Sequence, residues 1–293
     1  WRKLLVERVI APMGLTRTFV DGEDALVYGV AVGNLPDPSK PGGYSAVPKF
    51  LLPRNMAPVG TTLAFNLEDI LRFARMHIAG GVAENGTRIL SAESARAMAT
   101  RTLDSPAGPA TGIGLGWQHA VVNGRTVLSH GGGSNGGRSM VHAIPDLKLA
   151  HASFVNSSDP GDFQVELHER LTAKFGGGPP RPRDTTPQPA AAGVDQAKFL
   201  GTFRRMTTRA TIKQDGGKLQ LTTEPIPAEA EGTEAYGMGE PTVYNVVATS
   251  PTTLEQVTGT GKRGAVWRFI DPDQSGRFRL MLSGTRLSRR IGS

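Results

Sequence analysis

Residues 127–140, VLSHGGGSNGGRSM, hold the side chains whose spacing best suits acyl-transfer chemistry in this sequence. Residues 132–136 match the G-x-S-x-G pattern of a nucleophile elbow, in which the Ser134 hydroxyl attacks a carbonyl carbon. Residues 129–133 allow a second interpretation, a strand that lines a substrate cleft, with His130 projecting into the cleft and the nucleophile lying elsewhere. The two interpretations differ in whether this chain carries its own nucleophile.

The residues that follow Ser134 bear on this choice. A nucleophile elbow requires a strand, a tight turn and then a helix, so that the helix N-terminus faces the developing oxyanion. Here residues 136–137 lead instead into Met140, His142 and Ile144 at alternate positions, which is typical of a strand. No later Asp followed by His completes a compelling triad order. The pattern therefore favours the cleft strand and places Ser134 in a glycine-rich bend.

The first half of the chain alternates helical and strand patterns. Capping residues and apolar spacing predict helices beginning at Trp1, Asn66, Ser91 and Asp159, the last with an apolar stripe of Phe163, Leu167, Leu171 and Phe175. Alternation predicts strands over 112–117, 126–129, 139–144 and 147–156. A Pro/Gly-rich passage over 33–60 is predicted to wrap a cleft. These elements indicate an antiparallel sheet with covering helices.

The second half is rich in short strands. Strand patterns cover residues 199–203, 210–214, 218–222, 243–248, 253–257, 265–270 and 277–282. Seven or eight antiparallel strands at this spacing predict a small barrel. The predicted fold is therefore α+β over residues 1–175, a Gly/Pro/Ala-rich linker over 176–193 and a small antiparallel β-barrel over 194–293. Glu224, Glu229, Glu231, Glu234 and Glu240, with Tyr236 and Gly237, are predicted to form an acidic loop between strands.

Composition excludes several classes of protein. The 293 residues are 38% hydrophobic and 20% charged, without an apolar run long enough to span a membrane. The absence of cysteine excludes disulfides, thiolate metal sites and a cysteine nucleophile. Most of the net charge of +7 lies in the second half, but no aromatic platform accompanies its arginines, so we expect no nucleic-acid partner. No targeting segment identifies a compartment.

Four short motifs follow one another along the first half. They are PMGLTRT at residues 12–18, NLEDILRF at 66–73, GLGW at 114–117 and SHGG at 129–132. In this order they resemble the serine β-lactamase and penicillin-binding-protein superfamily, in its class C-related, esterase-like branch. The resemblance covers about residues 1–175. It implies a partial β-lactamase/transpeptidase-like fold, and the barrel is similar to the lipocalin-like domain appended to some of these hydrolases.

The resemblance also implies a function. Members acylate a serine with an ester, amide or lactam carbonyl of a small molecule or peptide and then hydrolyse the acyl-enzyme. Their Ser-x-x-Lys and Tyr-x-Asn motifs are absent from this sequence, which moreover opens on Trp1 within an amphipathic pattern. We therefore expect a fragment that is inactive alone and that self-associates or binds a complementing N-terminal segment. Of the three catalytic motifs of the family, this sequence matches only His-x-Gly, in the cleft strand at residues 130–132.

The resemblance assigns roles within that strand. His130 would hydrogen-bond substrate or assist proton transfer, and the Gly133 amide would be one of two oxyanion-hole donors. Gly131 and Gly132 would leave the strand bare for substrate backbone. Ser134 and Asn135 would add polar contacts to substrate. No cofactor and no metal are expected.

Two further expectations concern the rest of the molecule. A non-enzymatic protein that binds a ligand in the barrel remains an alternative to the hydrolase. His142 and His151 are positioned to meet across a hairpin, but two histidines without a carboxylate seldom make a metal site, and His168 lacks a second helical histidine. We therefore expect all histidines other than His130 to lie on strand or helix surfaces.

Overall fold

The computed structural model describes residues 1–37, 39–40, 42–48, 51, 62–105, 108–178, 186–205, 208–226 and 240–292. The chain divides into two compact units. The first comprises Trp1–Leu103 and Ala110–Arg181, and the second comprises Asp104–Pro109 and Pro182–Ser293. Antiparallel sheets with covering helices and a closed barrel confirm the predicted fold class. Within the described ranges, no helix combines the length and apolar character needed to cross a bilayer.

The first unit begins with one continuous helical segment. It consists of α1 (Arg2–Leu5), a π-helical stretch (Val6–Ile10) and α2 (Ala11–Met13). Gly14 then ends the helix in the left-handed conformation, with φ of 67°. Buried apolar side chains from this segment pack with Met76 of the following long helix, and the cluster comprises Ile10, Met13, Leu15, Val20, Met76 and Ala83.

That long helix, α3 (Leu67–Ile78), begins at the predicted cap. The Asn66 side chain accepts a hydrogen bond from the Asp69 amide at 2.9 Å. Buried Asp69 in turn accepts from the Arg17 amide and the Thr18 hydroxyl, each at 2.8 Å. Arg72 donates to the Gly14 carbonyl at 3.0 Å. The first two motifs of the sequence are therefore joined to each other by hydrogen bonds.

Removing the Asp69 carboxylate is expected to weaken this junction. Asp69→Ala leaves the Arg17 and Thr18 donors without their charged acceptor, which costs about 2–4 kcal/mol of unfolding free energy. Glu68→Ala is the matched control, because it removes only an exposed ion pair with Arg72 and costs less than about 0.5 kcal/mol. Denaturant unfolding would be followed by Trp117 fluorescence with Trp1 and Trp267 replaced by phenylalanine. Equal losses for the two variants would contradict the expected role of Asp69.

Several short strands and helices precede the main sheet along the chain. β1 (Thr18–Phe19) pairs with β4 (Ala64–Phe65), and β2 (Asn34–Pro36) pairs with β3 (Tyr44–Ala46). A 3-10 helix covers Gly22–Tyr28, and α4 (Ala92–Met98) begins at the predicted cap Ser91. Part of the passage over 33–60 is thus a hairpin, while residues 38, 41, 49–50 and 52–60 lie outside the described residues.

The main sheet has six strands in the order β10-β9-β8-β7-β6-β5. The strands are β5 (Leu103–Ser105), β6 (Gly108–Ile113), β7 (Gln118–Val122), β8 (Arg125–Ser134), β9 (Gly137–Ile144) and β10 (Leu149–Val155). One face carries apolar side chains that pack beneath α3, namely Trp117, Leu128, Val141 and Ala143 with Ala74 of the helix. We call this the α3 face.

The opposite face is covered by α5 (Phe163–Thr172) and mixes polar with apolar side chains, since Met140 and Ile144 share it with His142. The apolar stripe predicted for this helix is not its buried face: Phe163 is 57% exposed, Leu167 and Leu171 are half-buried, and Phe175, 54% exposed, lies beyond the end of α5. The buried positions of α5 are Gln164, His168 and Thr172. They face β10 residues that are themselves polar, so hydrogen bonding rather than apolar burial joins this helix to the sheet. We call this the α5 face.

The second unit contains an eight-stranded closed barrel, as predicted. Its strands are β11 (Gly201–Arg205), β12 (Thr208–Asp215), β13 (Lys218–Pro225), β14 (Thr242–Ser250), β15 (Thr253–Gln256), β16 (Val266–Pro272), β17 (Phe278–Ser283) and β18 (Arg286–Ile291). Aromatic rings pack together in its core, including Phe199, Phe203, Phe269 and Phe278. This packing gives the ligand-binding alternative no support.

Two charged side chains of the second unit, Arg290 and Glu224, make hydrogen bonds or ion pairs within the barrel. Arg290 donates to the backbone carbonyls of Phe278 and Leu200, each at 2.5 Å, which ties β18 to its neighbours. Glu224 pairs with Arg209 at 2.6 Å. The rest of the predicted acidic loop, from Glu229 through Gly237, lies outside the described residues.

Candidate functional site

The direction of the backbone hydrogen bonds of β8 is set by two turns. In a hairpin closed by two residues, the flanking residues form a hydrogen-bonded pair, and such pairs alternate with non-bonded pairs along the ladder. The first turn is flanked by Val122 and Arg125, so Arg125 and every second residue after it bond towards β7. The second is flanked by Ser134 and Gly137, so Ser134 and every second residue before it bond towards β9. The two turns therefore agree on one alternation.

This alternation leaves a free backbone edge at the end of β8. The β7–β8 ladder stops at Gln118 and Ser129, and no other strand of the described residues continues it. Gly131 and Gly133 belong to the alternate residues, counted from Arg125, whose backbone groups point towards β7. Their N–H and C=O groups therefore project from the sheet beyond the end of that strand. A substrate backbone can pair with these groups as an added strand. The free edge also offers N–H donors to a developing oxyanion.

His130 lies beside this edge. His130 is the cross-strand partner of Val141, so its side chain is on the α3 face. It lies two residues after buried Leu128, which is on the same face. The His130 side chain is exposed. The imidazole is thus accessible next to the free edge rather than packed in the interior, as a proton-transfer role requires.

The elbow interpretation of Ser134 is wrong. β8 ends at Ser134, and after the two-residue turn the chain continues as β9, not as a helix. Ser134 is exposed at the hairpin end, and the helix N-terminus that would face an oxyanion does not follow it. Its hydroxyl shares the α3 face with His130 and Gly132.

The glycines of β8 lie where side chains would collide. A Cβ on Gly132 would meet the Ser139 hydroxyl, and a Cβ on Gly133 would lie 2.5 Å from the Arg138 guanidinium. Sequence reasoning missed Arg138, although its place opposite Gly133 follows once the two-residue turn is known. It adds a cation beside the free edge.

Asn135 lies in a turn that is clamped by a distant segment. The backbone N–H of Asn34 donates to the Gly136 carbonyl at 2.9 Å and to the Asn156 carbonyl at 3.0 Å. A Cβ on Gly33 would strike the Asn135 carbonyl. The Asn135 residue is half-buried, and its backbone carbonyl lies against Gly33.

His77, His119, His151 and His168 are buried and His142 is half-buried, contrary to the expectation that these histidines lie on strand or helix surfaces. His77 is buried between Phe73 and Trp117, and burial lowers its pKa to about 4. His142 and His151 do pair across the predicted hairpin, and His168 of α5 joins them on the α5 face. A helix that approaches this face brings the third ring into contact, which neither spacing nor a motif indicates.

Comparisons with known proteins place this geometry in context. The family model described as Beta-lactamase matches residues 1–174. "Penicillin-binding protein 4" of Amycolatopsis lactamdurans is 32% identical over 212 residues, which are 70% of this chain and 54% of that protein. The chain thus spans about half the length of this curated relative.

Two crystal structures share the fold of the whole chain. "Crystal structure of SurE" matches with a TM-score of 0.71 and 22% identity, over 99% of this chain and 63% of that one. "Crystal structure of SurE with D-Leu" matches with a TM-score of 0.64 and 22% identity, over 99% of this chain and 62% of that one. At this identity the likeness concerns the fold alone.

Proposed function

The chain belongs to the beta-lactamase family, and from this premise we propose that it forms one wall of the active site of a serine hydrolase. The wall is the end of β8, where His130 and the free edge of Gly131 and Gly133 lie side by side. This juxtaposition of an exposed imidazole and unpaired backbone groups is the observation that carries the proposal. The reaction is acylation of a serine by a substrate carbonyl, followed by hydrolysis.

Each group of the wall has a role in that reaction. As the serine oxygen bonds to the carbonyl carbon, negative charge develops on the carbonyl oxygen, and the Gly133 N–H donates to it. A second donor belongs to the nucleophile's own segment. His130 hydrogen-bonds the substrate or transfers a proton, because a neutral imidazole offers one N–H donor and one acceptor nitrogen. Gly131 and Gly132 admit the substrate chain, while Ser134 and Asn135 supply polar contacts at its rim.

The substrate is proposed to carry an ester, amide or lactam carbonyl. The relative's name, which refers to penicillin binding, supports a lactam among these. Arg138 is placed to attract a substrate carboxylate, since its guanidinium lies over Gly133.

The attacking serine is proposed to lie outside this sequence. No Ser here is followed three residues later by Lys, and no Tyr is followed two residues later by Asn. The chain alone is therefore proposed to be inactive, with a complementing segment supplying both motifs. Exposed Phe163 on α5 and exposed Phe175 just after it support a further segment or a second copy covering that helix.

The proposal is tested by acylation with a fluorescent penicillin and by turnover of nitrocefin and a p-nitrophenyl ester. We expect no reaction with this chain, and reaction once the polypeptide also includes the upstream coding sequence with its Ser-x-x-Lys. Ser134→Ala is expected to lower the activity of the longer polypeptide by no more than about tenfold, because it removes one polar contact at the rim but not the nucleophile. Robust turnover by this chain that Ser134→Ala abolishes would overturn the proposal.

A further inference from the structure

Three histidine rings meet on the α5 face, opposite the face that carries His130. His142 on β9 and His151 on β10 are cross-strand partners, and His168 comes from α5. One ligand nitrogen of each ring lies within 4.8 Å of the other two. His151 and His168 are 7% and 1% exposed, whereas His142 is half-buried and accessible from solvent. Three metal-ligating side chains from three elements therefore converge on one point.

Hydroxyl groups hold the outer nitrogens of two rings. His151 Nε2 lies 3.1 Å from Thr172 Oγ1, and His168 Nε2 lies 2.8 Å from Ser153 Oγ. Gln164 fixes that serine by donating to its Oγ at 2.9 Å. Histidines that bind a metal characteristically donate their other ring N–H to such a partner. The hydroxyls thus orient both rings with Nδ1 turned inward.

The inward Nδ1 atoms of His151 and His168 lie 2.5 Å apart. Each neutral imidazole carries one proton, so in this pair one Nδ1 donates to the other. If both rings instead donate Nε2–H to Thr172 and Ser153, the same two protons suffice and both Nδ1 lone pairs are free. The change requires only that one ring moves its proton from Nδ1 to Nε2. Two facing lone pairs are then stabilised by a cation between them.

Burial keeps the three rings in the neutral form that ligates metals. The pKa of His142 is lowered to about 3, chiefly by burial and further by the charges of His168 and His151. Burial likewise lowers the pKa of His151 and of His168 to about 4. At neutral pH no proton has to be displaced from the cluster before a metal binds.

We propose that His142, His151 and His168 form a binding site for one divalent transition-metal ion, with Zn²⁺ the best fit. Zn–N bonds of about 2.0–2.1 Å in a tetrahedron separate ligand nitrogens by about 3.3 Å. The His151–His168 pair therefore widens from its 2.5 Å contact when the ion enters, and water takes the fourth position. Three imidazoles suit Zn²⁺, Co²⁺, Ni²⁺ or Cu²⁺, while Mg²⁺ and Ca²⁺ require oxygen ligands.

The site ties α5 to the sheet and is independent of the proposed hydrolase wall. Its ligands belong to β9, β10 and α5 on the α5 face, whereas His130 is on the α3 face. An ion that binds only the folded chain raises the stability of the first unit by mass action. Metal binding is therefore measurable in this chain without any enzymatic activity.

The test uses the tag-free full chain after treatment with EDTA and removal of the chelator. Titration with Co²⁺ is expected to give visible d–d bands that saturate at one equivalent and disappear when Zn²⁺ is added. Zn²⁺ is expected to raise the melting temperature, and Mg²⁺ is expected to leave it unchanged. Long-range ¹⁵N NMR of the imidazoles is expected to show His151 and His168 as Nε2–H tautomers only in the Zn²⁺-bound chain.

Matched variants separate this site from other histidines. His142→Gln changes the half-buried ligand and is expected to abolish the one-equivalent binding, while Ser153→Ala weakens it about 10- to 100-fold. His130→Gln, an exposed histidine on the other face, is expected to leave binding unchanged. If the wild-type chain shows no Co²⁺ bands and no Zn²⁺-dependent stabilisation, or if His142→Gln binds as the wild type does, the cluster is only a hydrogen-bonded network.

Discussion

Gly133→Pro is expected to lower acyl transfer by the longer, serine-containing polypeptide about 10²–10³-fold, because it deletes the proposed oxyanion donor. Proline lacks the backbone N–H and is tolerated where that N–H points away from the ladder. The alternation set by the two turns of β8 gives Gly133 such an outward N–H. The substitution therefore removes the donor while the β8–β9 ladder persists.

Gly133→Ala is the matched control for this substitution. Both variants place a Cβ 2.5 Å from the Arg138 guanidinium, the movable end of a flexible side chain, but only alanine keeps the N–H. We expect Gly133→Ala to retain activity within about tenfold of the wild type, which corresponds to about 1.4 kcal/mol. Equal losses in kcat/KM for the two variants would assign the effect to sterics and remove Gly133 from the oxyanion hole.

Gly136→Ala is expected to destabilise the first unit by about 4 kcal/mol. Gly136 has φ of 69°, a left-handed conformation that costs an L-residue about 1–2 kcal/mol. An added Cβ would also strike the Asn34 amide nitrogen and lie 2.5 Å from the Gly33 carbonyl carbon. These are backbone atoms, so relief requires the segment that clamps the turn to move. Denaturant unfolding reported by Trp117 measures the loss.

Gly124→Ala provides the comparison, because it lies in the other turn of β8. Its φ is 77°, but an added Cβ would meet nothing within 4 Å. This variant carries only the conformational cost of about 1–2 kcal/mol. The difference between the two variants therefore isolates the close approach of Gly33 and Gly136. Similar losses for both would mean that the clamp contributes little to stability.

Local sequence signals predicted the elements whose ends are fixed by hydrogen bonds between residues close together in the chain. The Asn66 and Ser91 caps, the β9–β10 hairpin and the eight-stranded barrel follow from residues close together in the chain. Caps and turns are fixed by hydrogen bonds over a few residues, so such signals are readable without tertiary contacts. The assigned roles of His130, Gly131, Gly132 and Gly133 remain predictions for experiment.

The buried face of α5 was predicted wrongly from apolar spacing, because it depends on packing against residues distant in the chain. The spacing of Phe163, Leu167, Leu171 and Phe175 predicted an apolar stripe, yet α5 buries Gln164, His168 and Thr172. Periodicity identifies a helix face but not the chemistry of the surface that it meets, and here α5 meets His151 and Ser153 of β10 through hydrogen bonds. A pattern read along one element cannot contain this information.

The amino-acid sequence by itself determined the family resemblance, the fold class and the strand that carries His130 and its glycines, because each depends on local order along the chain. Only the tertiary structure decided that β7 ends at Gln118, which leaves the edge of Gly131 and Gly133 free. It also brought His168 against His142 and His151. Both features depend on where separate elements stop and meet in space, and that is set by packing of the whole unit.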